Sequence, residues 1–273
     1  MRKHKQRFRG EEQGGRRFEA KPAAGERSAG GGLWLYGVHA VRAALGNPER
    51  RIRRLLVAPD LRELLRESAA HPAGRPLPDP ESADREAIGR LLPPGAVHQG
   101  VAALVDPLPY AAIEDVLAGL DPDKPAALLV LDQVSDPQNV GAVLRSAAAF
   151  GAAGVLVTER HAAPETGALA KAASGALEVV PLLRVANLAR ALKSMKDAGF
   201  WCVGFAADAA ETLPRAELPA RVALVLGSEG EGLRRLTRES CDLLFRLPTG
   251  GPIDQLNVSN AAAVALYDWA RRR

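Results

Sequence analysis

The sequence predicts an α/β protein: a mostly parallel sheet with helices on both faces in the carboxyl-terminal part, preceded by a smaller mixed α/β unit. From Ala126 onward, apolar runs of strand length alternate with stretches of helical periodicity. Runs that are apolar at every residue, rather than at every second one, belong to strands covered on both faces, as in a parallel sheet. The chain has 273 residues, 47% hydrophobic and 25% charged, which suits a sizeable core and more than one domain. Two cysteines exclude a small disulfide-held scaffold, and no apolar run approaches the roughly 20 residues needed to cross a bilayer.

Residues 1–32 are rich in Gly, Arg, Lys and Glu and have almost no apolar periodicity, so burial cannot offset the entropy of ordering them. They are expected to form a disordered basic tail. Residues 1–28 hold nine Lys/Arg against four Glu, a net of +5 in a chain whose total is +4, so the remainder sums to −1. Basicity concentrated in a tail points to a polyanionic partner or to solubility. Residues 33–106 form the predicted small unit: a helix at Val38–Leu45, a strand at Ile52–Val57, helices at Leu61–Ala69 and Ser82–Leu92, and a strand at Val101–Val105. Residues 107–125, proline-rich around a short helix at Ile113–Leu120, are the expected linker.

Residues 126–273 form the predicted second domain. Its strands are ALLVL (127–131), GVLV (154–157), LEVVPLL (177–183), WCVGFA (201–206), VALVLG (222–227) and LLFRL (243–247). Its helices are expected at Ala142–Phe150, Thr166–Ala173, Leu188–Ala198, Leu233–Glu239 and Val258–Arg273. Cys202 and Cys241 lack CxxC spacing and read as buried thiols of a reducing cytoplasm. Aromatics at 4% are too few for a base-stacking surface, which disfavours OB-fold and RRM readings. The histidines lack metal-ligand spacing, and neither HExxH nor GxSxG occurs, so metal and serine-hydrolase chemistry are disfavoured.

Parallel sheets bind ligands beyond the carboxyl ends of their strands, and three strand ends carry unusual residues. After ALLVL comes DQVSDPQNVGAVLRSAAAFG, where Asp136, Pro137 and Gly151 read as helix caps. Capping leaves Gln138, Asn139 and Arg145 unexplained, although a solvated helix face would account for Arg145. VALVLGSEGEGL runs a strand straight into glycines ordered G-x-x-G-x-G, unlike the dinucleotide fingerprint, which argues against a nicotinamide oxidoreductase. These glycines allow close backbone approach, and Glu229 adds a carboxylate. The third is LPTGGPIDQLNVSNAAAVALYDWARRR, a polar, glycine-rich loop before the last helix, with Asn257 and Ser259 as capping types.

Together these segments resemble the three motifs of the SpoU/TrmH family of RNA 2'-O-ribose methyltransferases, here DPQNVGAVLRSAAAFG, LVLGSEGEGL, and LPTGG followed by LNVSNAAAVALY. Upstream, YGVHAVRAAL and HQGVAALV look like the start and end of the family's small substrate-binding domain. The two-domain arrangement is most similar to members that methylate a guanosine of large-subunit (23S) rRNA. The resemblance implies an L30-like (ribosomal-protein-like) α/β domain, then a knotted, trefoil SPOUT-type domain, S-adenosyl-L-methionine as cofactor, RNA as partner, no metal, and a homodimer sharing its active site.

It further implies that Gly227, Leu247 and Leu256 contact the cofactor, and that Asn139, Arg145, Glu229, Asn257 and Ser259 are the polar active-site residues. Arginine loses its proton only far above neutral pH. Arg145 therefore suits a role on the RNA phosphate and 2'-oxygen better than that of general base. Gln255, Thr249 and Asn260 depart from the usual third motif. A tRNA substrate and a non-catalytic RNA-binding protein on the same scaffold are the alternatives. The apolar stripe Val258, Ala262, Ala265, Leu266 and Trp269 of the last helix is expected to serve either the dimer or its own subunit.

Overall fold

The structure, a computed structural model, describes residues 31–63, 77–213, 218–252 and 255–273. The tail up to residue 30 and most of the Leu61–Ala69 helix lie outside the described residues. The first sheet contains β1 (Leu33–Tyr36), β2 (Ile52–Val57), β3 (Glu81–Ser82) and β4 (Val101–Val105) in the order β1-β4-β2-β3. β4 is antiparallel to both β1 and β2, whereas β3 runs parallel to β2. Helix α1 (Val38–Gly46) follows β1. Helix α2 (Arg85–Arg90) starts where the Asp84 carboxylate accepts the Ala87 N–H at 2.7 Å. The expected helix over Ser82–Leu92 is therefore shortened, because Ser82 is drawn into pairing with Val57.

Helix α3 (Ile113–Ala118) leads to the second sheet: β5 (Ala126–Asp132), β6 (Gly154–Thr158), β7 (Leu182–Val185), β8 (Trp201–Phe205), β9 (Glu211–Thr212), β10 (Arg221–Gly227) and β11 (Leu243–Arg246). All seven pair in parallel, in the order β7-β6-β5-β10-β8-β11-β9. Every residue of β5 is buried, as its unbroken apolar run predicts. The register sets Asp132 opposite Gly227, so the ends of the first two motifs lie side by side at the middle of the sheet.

The helices of this part are α4 (Pro137–Phe150), α5 (Gly167–Ala173), α6 (Leu188–Asp197), α7 (Arg235–Glu239) and α8 (Val258–Ala270). Asp136 caps α4 by accepting the Gln138 N–H at 2.9 Å, Pro137 occupies its first turn, and Gly151 ends it in the left-handed conformation at φ 69°. Two expectations are corrected. The run Leu177–Leu183 is not one strand: Ala176–Glu178 forms a 3-10 turn after Gly175 (φ 97°), Val179 is 72% exposed, and only Leu182 onward joins the sheet. The α8 stripe Val258, Ala262, Ala265, Leu266 and Trp269 is buried in its own subunit's core, so it offers no partner surface. That core is continuous from Leu35 and Val41 in the first part to Leu129, Leu144 and Leu266 in the second. Among the described residues no helix is long and apolar enough to cross a membrane.

Candidate active site

The strand β10 ends at Gly227 and the chain folds straight back on itself. Gly232 N–H donates to the Ser228 carbonyl at 3.0 Å, and a Cβ on Gly227 would lie 2.0 Å from the Gly232 carbonyl carbon. Gly230 and Gly232 sit at φ 95° and 67°, where side chains other than glycine's are strained. The three glycines are thus demanded by one tight loop. This loop, the segment after β8 and the segment after β11 enclose a crevice of about 440 Å³ beyond the carboxyl ends of the strands. Gly227, Leu247 and Leu256 all line it, with Phe205, Leu226 and Val258 as further apolar wall and Asp208, Glu229 and Glu231 at the polar side.

At one edge of the crevice, four predicted residues join a single network. Asn257 Nδ2 donates to Glu229 Oε1 at 2.7 Å and to Asn139 Oδ1 at 2.9 Å, while Asn139 Nδ2 donates to the same Glu229 oxygen at 3.0 Å. Asn257 Oδ1 accepts the Ser259 backbone N–H at 2.8 Å and its hydroxyl at 2.6 Å. Asn257 therefore caps α8 with its oxygen and holds the site together with its nitrogen. Asn139, near the start of α4, is buried, whereas Glu229 and Asn257 face solvent.

Arg145 stands apart. Six residues along α4 carry it about 9 Å down the axis and about 120° around it from Asn139, and it is exposed. The two side chains therefore leave α4 on different faces.

Sequence reasoning misses Asp132 and Arg234. The Asp132 carboxylate, fully buried at the end of β5, accepts the Arg234 backbone N–H at 3.1 Å and its Nε at 2.6 Å. The pair straps the end of the glycine loop to the strand that leads into α4. A carboxylate closing an otherwise apolar strand is the available signal. Nearby, Arg238 pairs with Asp208 at 2.9 Å and Arg246 donates to the Ala209 carbonyl at 2.9 Å.

Cys202 is buried and Cys241 partly so, and burial pushes both thiols up to about 12, which leaves them as unreactive packing groups. Among the described residues no group of three or more His, Cys, Asp or Glu side chains could hold a metal ion.

A parallel sheet whose strand ends carry a glycine-walled crevice beside a rigid polar network belongs to the α/β enzymes that seat a nucleotide-like ligand at this edge. The pattern of the SpoU rRNA Methylase family matches residues 126–267, and that of RNA 2'-O ribose methyltransferase substrate binding matches residues 34–111. The chain belongs to the SpoU rRNA methylase family.

It is similar to the 23S rRNA (guanosine-2'-O-)-methyltransferase RlmB of Photobacterium profundum, 38% identical over 88% of this chain and 97% of that protein. The protein of that name from Nitrosomonas europaea is 50% identical over 64% of this chain and 67% of its own length. Among solved structures, an RNA 2'-O ribose methyltransferase superposes with a TM-score of 0.72 at 26% identity, covering 88% of each chain. AviRb from Streptomyces viridochromogenes in complex with AdoMet superposes with a TM-score of 0.71, covering 89% of this chain and 91% of AviRb; at 24% identity this likeness concerns the fold.

Proposed function

We infer that the protein transfers a methyl group from S-adenosylmethionine to a ribose 2'-hydroxyl of RNA, a guanosine of 23S rRNA. The observation that carries this is the joining of all three family motifs at one crevice, in a chain alike over almost the whole length of 23S rRNA guanosine methyltransferases. The crevice fits the cofactor: its volume lies within the range of small-ligand pockets, its apolar walls suit adenine, and its carboxylates suit a cationic sulfonium. When bound, S-adenosylmethionine supplies an electrophilic methyl group. Gly227, Leu247 and Leu256 would hold it, and Gly227, Gly230 and Gly232 would admit it by presenting backbone alone at their positions.

Glu229 locks the amides of Asn139 and Asn257, so that these and Ser259 present a fixed set of polar groups to the nucleotide. Arg145 engages the RNA phosphate and the 2'-oxygen, stabilising negative charge there while the hydroxyl proton passes to solvent water and the oxygen takes up the methyl group, with S-adenosylhomocysteine as the leaving product.

The domain division at residues 32, 106 and 125 belongs to the same reading: residues 33–106, with the L30-like fold, bind RNA, and residues 126–273 methylate it. A trefoil knot in the methyltransferase domain belongs to the same reading, in keeping with the return of α8 after β11, next to the sheet edge, to pack on β10 and α4. A cytoplasmic homodimer sharing its active site completes the reading. With the α8 stripe buried, the supporting surface is instead exposed Val264 and Tyr267, the latter edge-on to Phe150 of α4 at 6.2 Å. Sedimentation showing a fully active monomer would sink the dimer. Tritiated S-adenosylmethionine with separated RNA classes, followed by mapping of the 2'-O-methyl group, tests the activity. Label in a 23S guanosine is expected; label confined to tRNA, or none, would overturn it.

A further inference from the structure

Arg50 lies between α1 and β2 in the small unit, yet its side chain is wholly buried. Its Nη2 and Nε form a fork on Glu178, at 2.8 Å to Oε1 and 3.1 Å to Oε2. Nη1 donates to the Asp106 carbonyl at 2.9 Å and to Glu165 Oε1 at 3.3 Å. Asn47, three residues before Arg50, donates to Glu178 Oε2 at 2.8 Å. One guanidinium thus gathers the end of β4, the residue just before the cap of α5, and the 3-10 turn that precedes β7. Burial pushes the Glu165 carboxyl up, with Arg50 opposing that shift.

The surfaces around this cluster approach too closely for side chains. A Cβ on Gly167, at the start of α5, would lie 2.4 Å from the Trp34 carbonyl and from the Tyr36 ring; one on Gly175 would lie 2.9 Å from the Ala43 Cβ. The connecting segment is docked as well, with Ala111 bridged to Leu183 and Tyr110 beneath the Arg184 guanidinium at 4.6 Å.

Apolar groups of equal volume would hold two surfaces together at least as firmly as a buried ion cluster. What a planar fork adds is direction, since it tolerates one mutual orientation of its partners. Methyl transfer to one hydroxyl of a large RNA depends on orientation, because a displacement of about 1 Å can cost roughly a hundredfold in rate. We propose that Arg50 is a positioning residue whose fork on Glu178, tied to Glu165 and the Asp106 carbonyl, fixes the small unit on the methyltransferase unit and so sets where a bound ribose meets the crevice. The proposal rests on the reading of residues 33–106 as RNA-binding.

The test pairs spectroscopy with kinetics on the full chain. Spin labels at Glu86→Cys and Lys193→Cys, both on exposed side chains, report the distance between the units in a chain whose two native cysteines are replaced (Cys202→Ala, Cys241→Ser). Arg50→Lys keeps the charge and loses the fork. It is expected to broaden the distance distribution and to lower kcat/KM for RNA about tenfold or more, with S-adenosylmethionine affinity unchanged within about twofold. Arg50→Met strands two buried carboxylates; should these single variants fail to fold, the neutral triple variant R50M/E165Q/E178Q takes their place with the same expectation. An unchanged distance distribution, an unchanged kcat/KM for RNA, or an equal loss of cofactor affinity would each overturn the proposal. Wild-type protein that methylates no RNA would overturn the reading beneath it and the kinetic half with it, and the distance measurement would show that failure to be separate from a loose clamp.

Discussion

Asn257 answers two demands with one amide, capping α8 through its oxygen while its nitrogen bonds Glu229 and Asn139. A residue read from sequence as either cap or site residue caps the helix and also joins the Glu229–Asn139 network, and the two contacts reinforce each other because the helix start fixes the amide plane. Arg145 has no such anchoring in the network, which suits a group whose partner is the RNA. Arg145→Ala is expected to lower methyl transfer by about a hundredfold or more, the scale set by removing one donor to developing oxyanion charge. S-adenosylmethionine affinity and thermal stability should stay close to wild type, since the crevice walls do not include it. Arg145→Lys should rescue little, because an ammonium restores charge without the planar pair of donors. Single-turnover methylation beside calorimetric titration of the cofactor separates these effects, and near-normal activity in Arg145→Ala would falsify the assignment and leave a solvated helix face.

The turn from β10 to α7 decides whether the crevice exists. It is closed from inside by Gly227 packed on the Gly232 backbone and from outside by Arg234 on buried Asp132. In Gly227→Ala the new methyl meets backbone that cannot swing aside, so the loop must reopen. Overpacking of this kind costs about 1–3 kcal/mol, and cofactor affinity is expected to fall at least about tenfold. Gly46→Ala, where a Cβ meets nothing within 4 Å, should change neither; a melt and a cofactor titration on both variants check this, and wild-type affinity in Gly227→Ala would refute the loop's role. The strands around this turn are legible in the sequence because burial on both faces writes a continuous apolar run, as in β5 and β10. The four residues of β1 are too few for any period, and the run Leu177–Leu183 is apolar for a different reason: it turns beneath the clamp at Glu178 before Pro181 lets it enter the sheet.

Distance along the chain limits what a sequence can reveal about the whole molecule. Nothing local couples Arg50 to Glu178, 128 residues away, or sets Asp132 against Arg234, 102 residues away; such pairs exist only once the elements that carry them have packed together. Charge is different, since it adds up without any fold. Residues 1–28 carry a net +5 and the rest −1, so the folded part by itself has no net attraction for a polyanion. The tail lies outside the described residues, and its predicted effect needs no structure. Each phosphate neutralised by a basic group releases counterions and contributes roughly 0.7 to the slope of log affinity against log salt on single strands. Deleting residues 1–28, with their net five positive charges, is therefore expected to flatten the salt dependence of RNA binding by up to about 3.5 in that slope, and to weaken affinity most at low salt. Cofactor affinity should not change, because the crevice is built from residues far along the chain, from Phe205 to Ala261. Filter binding of the full and shortened chains across a salt series decides the matter: an unchanged slope would mean that the tail makes no phosphate contacts and serves solubility alone.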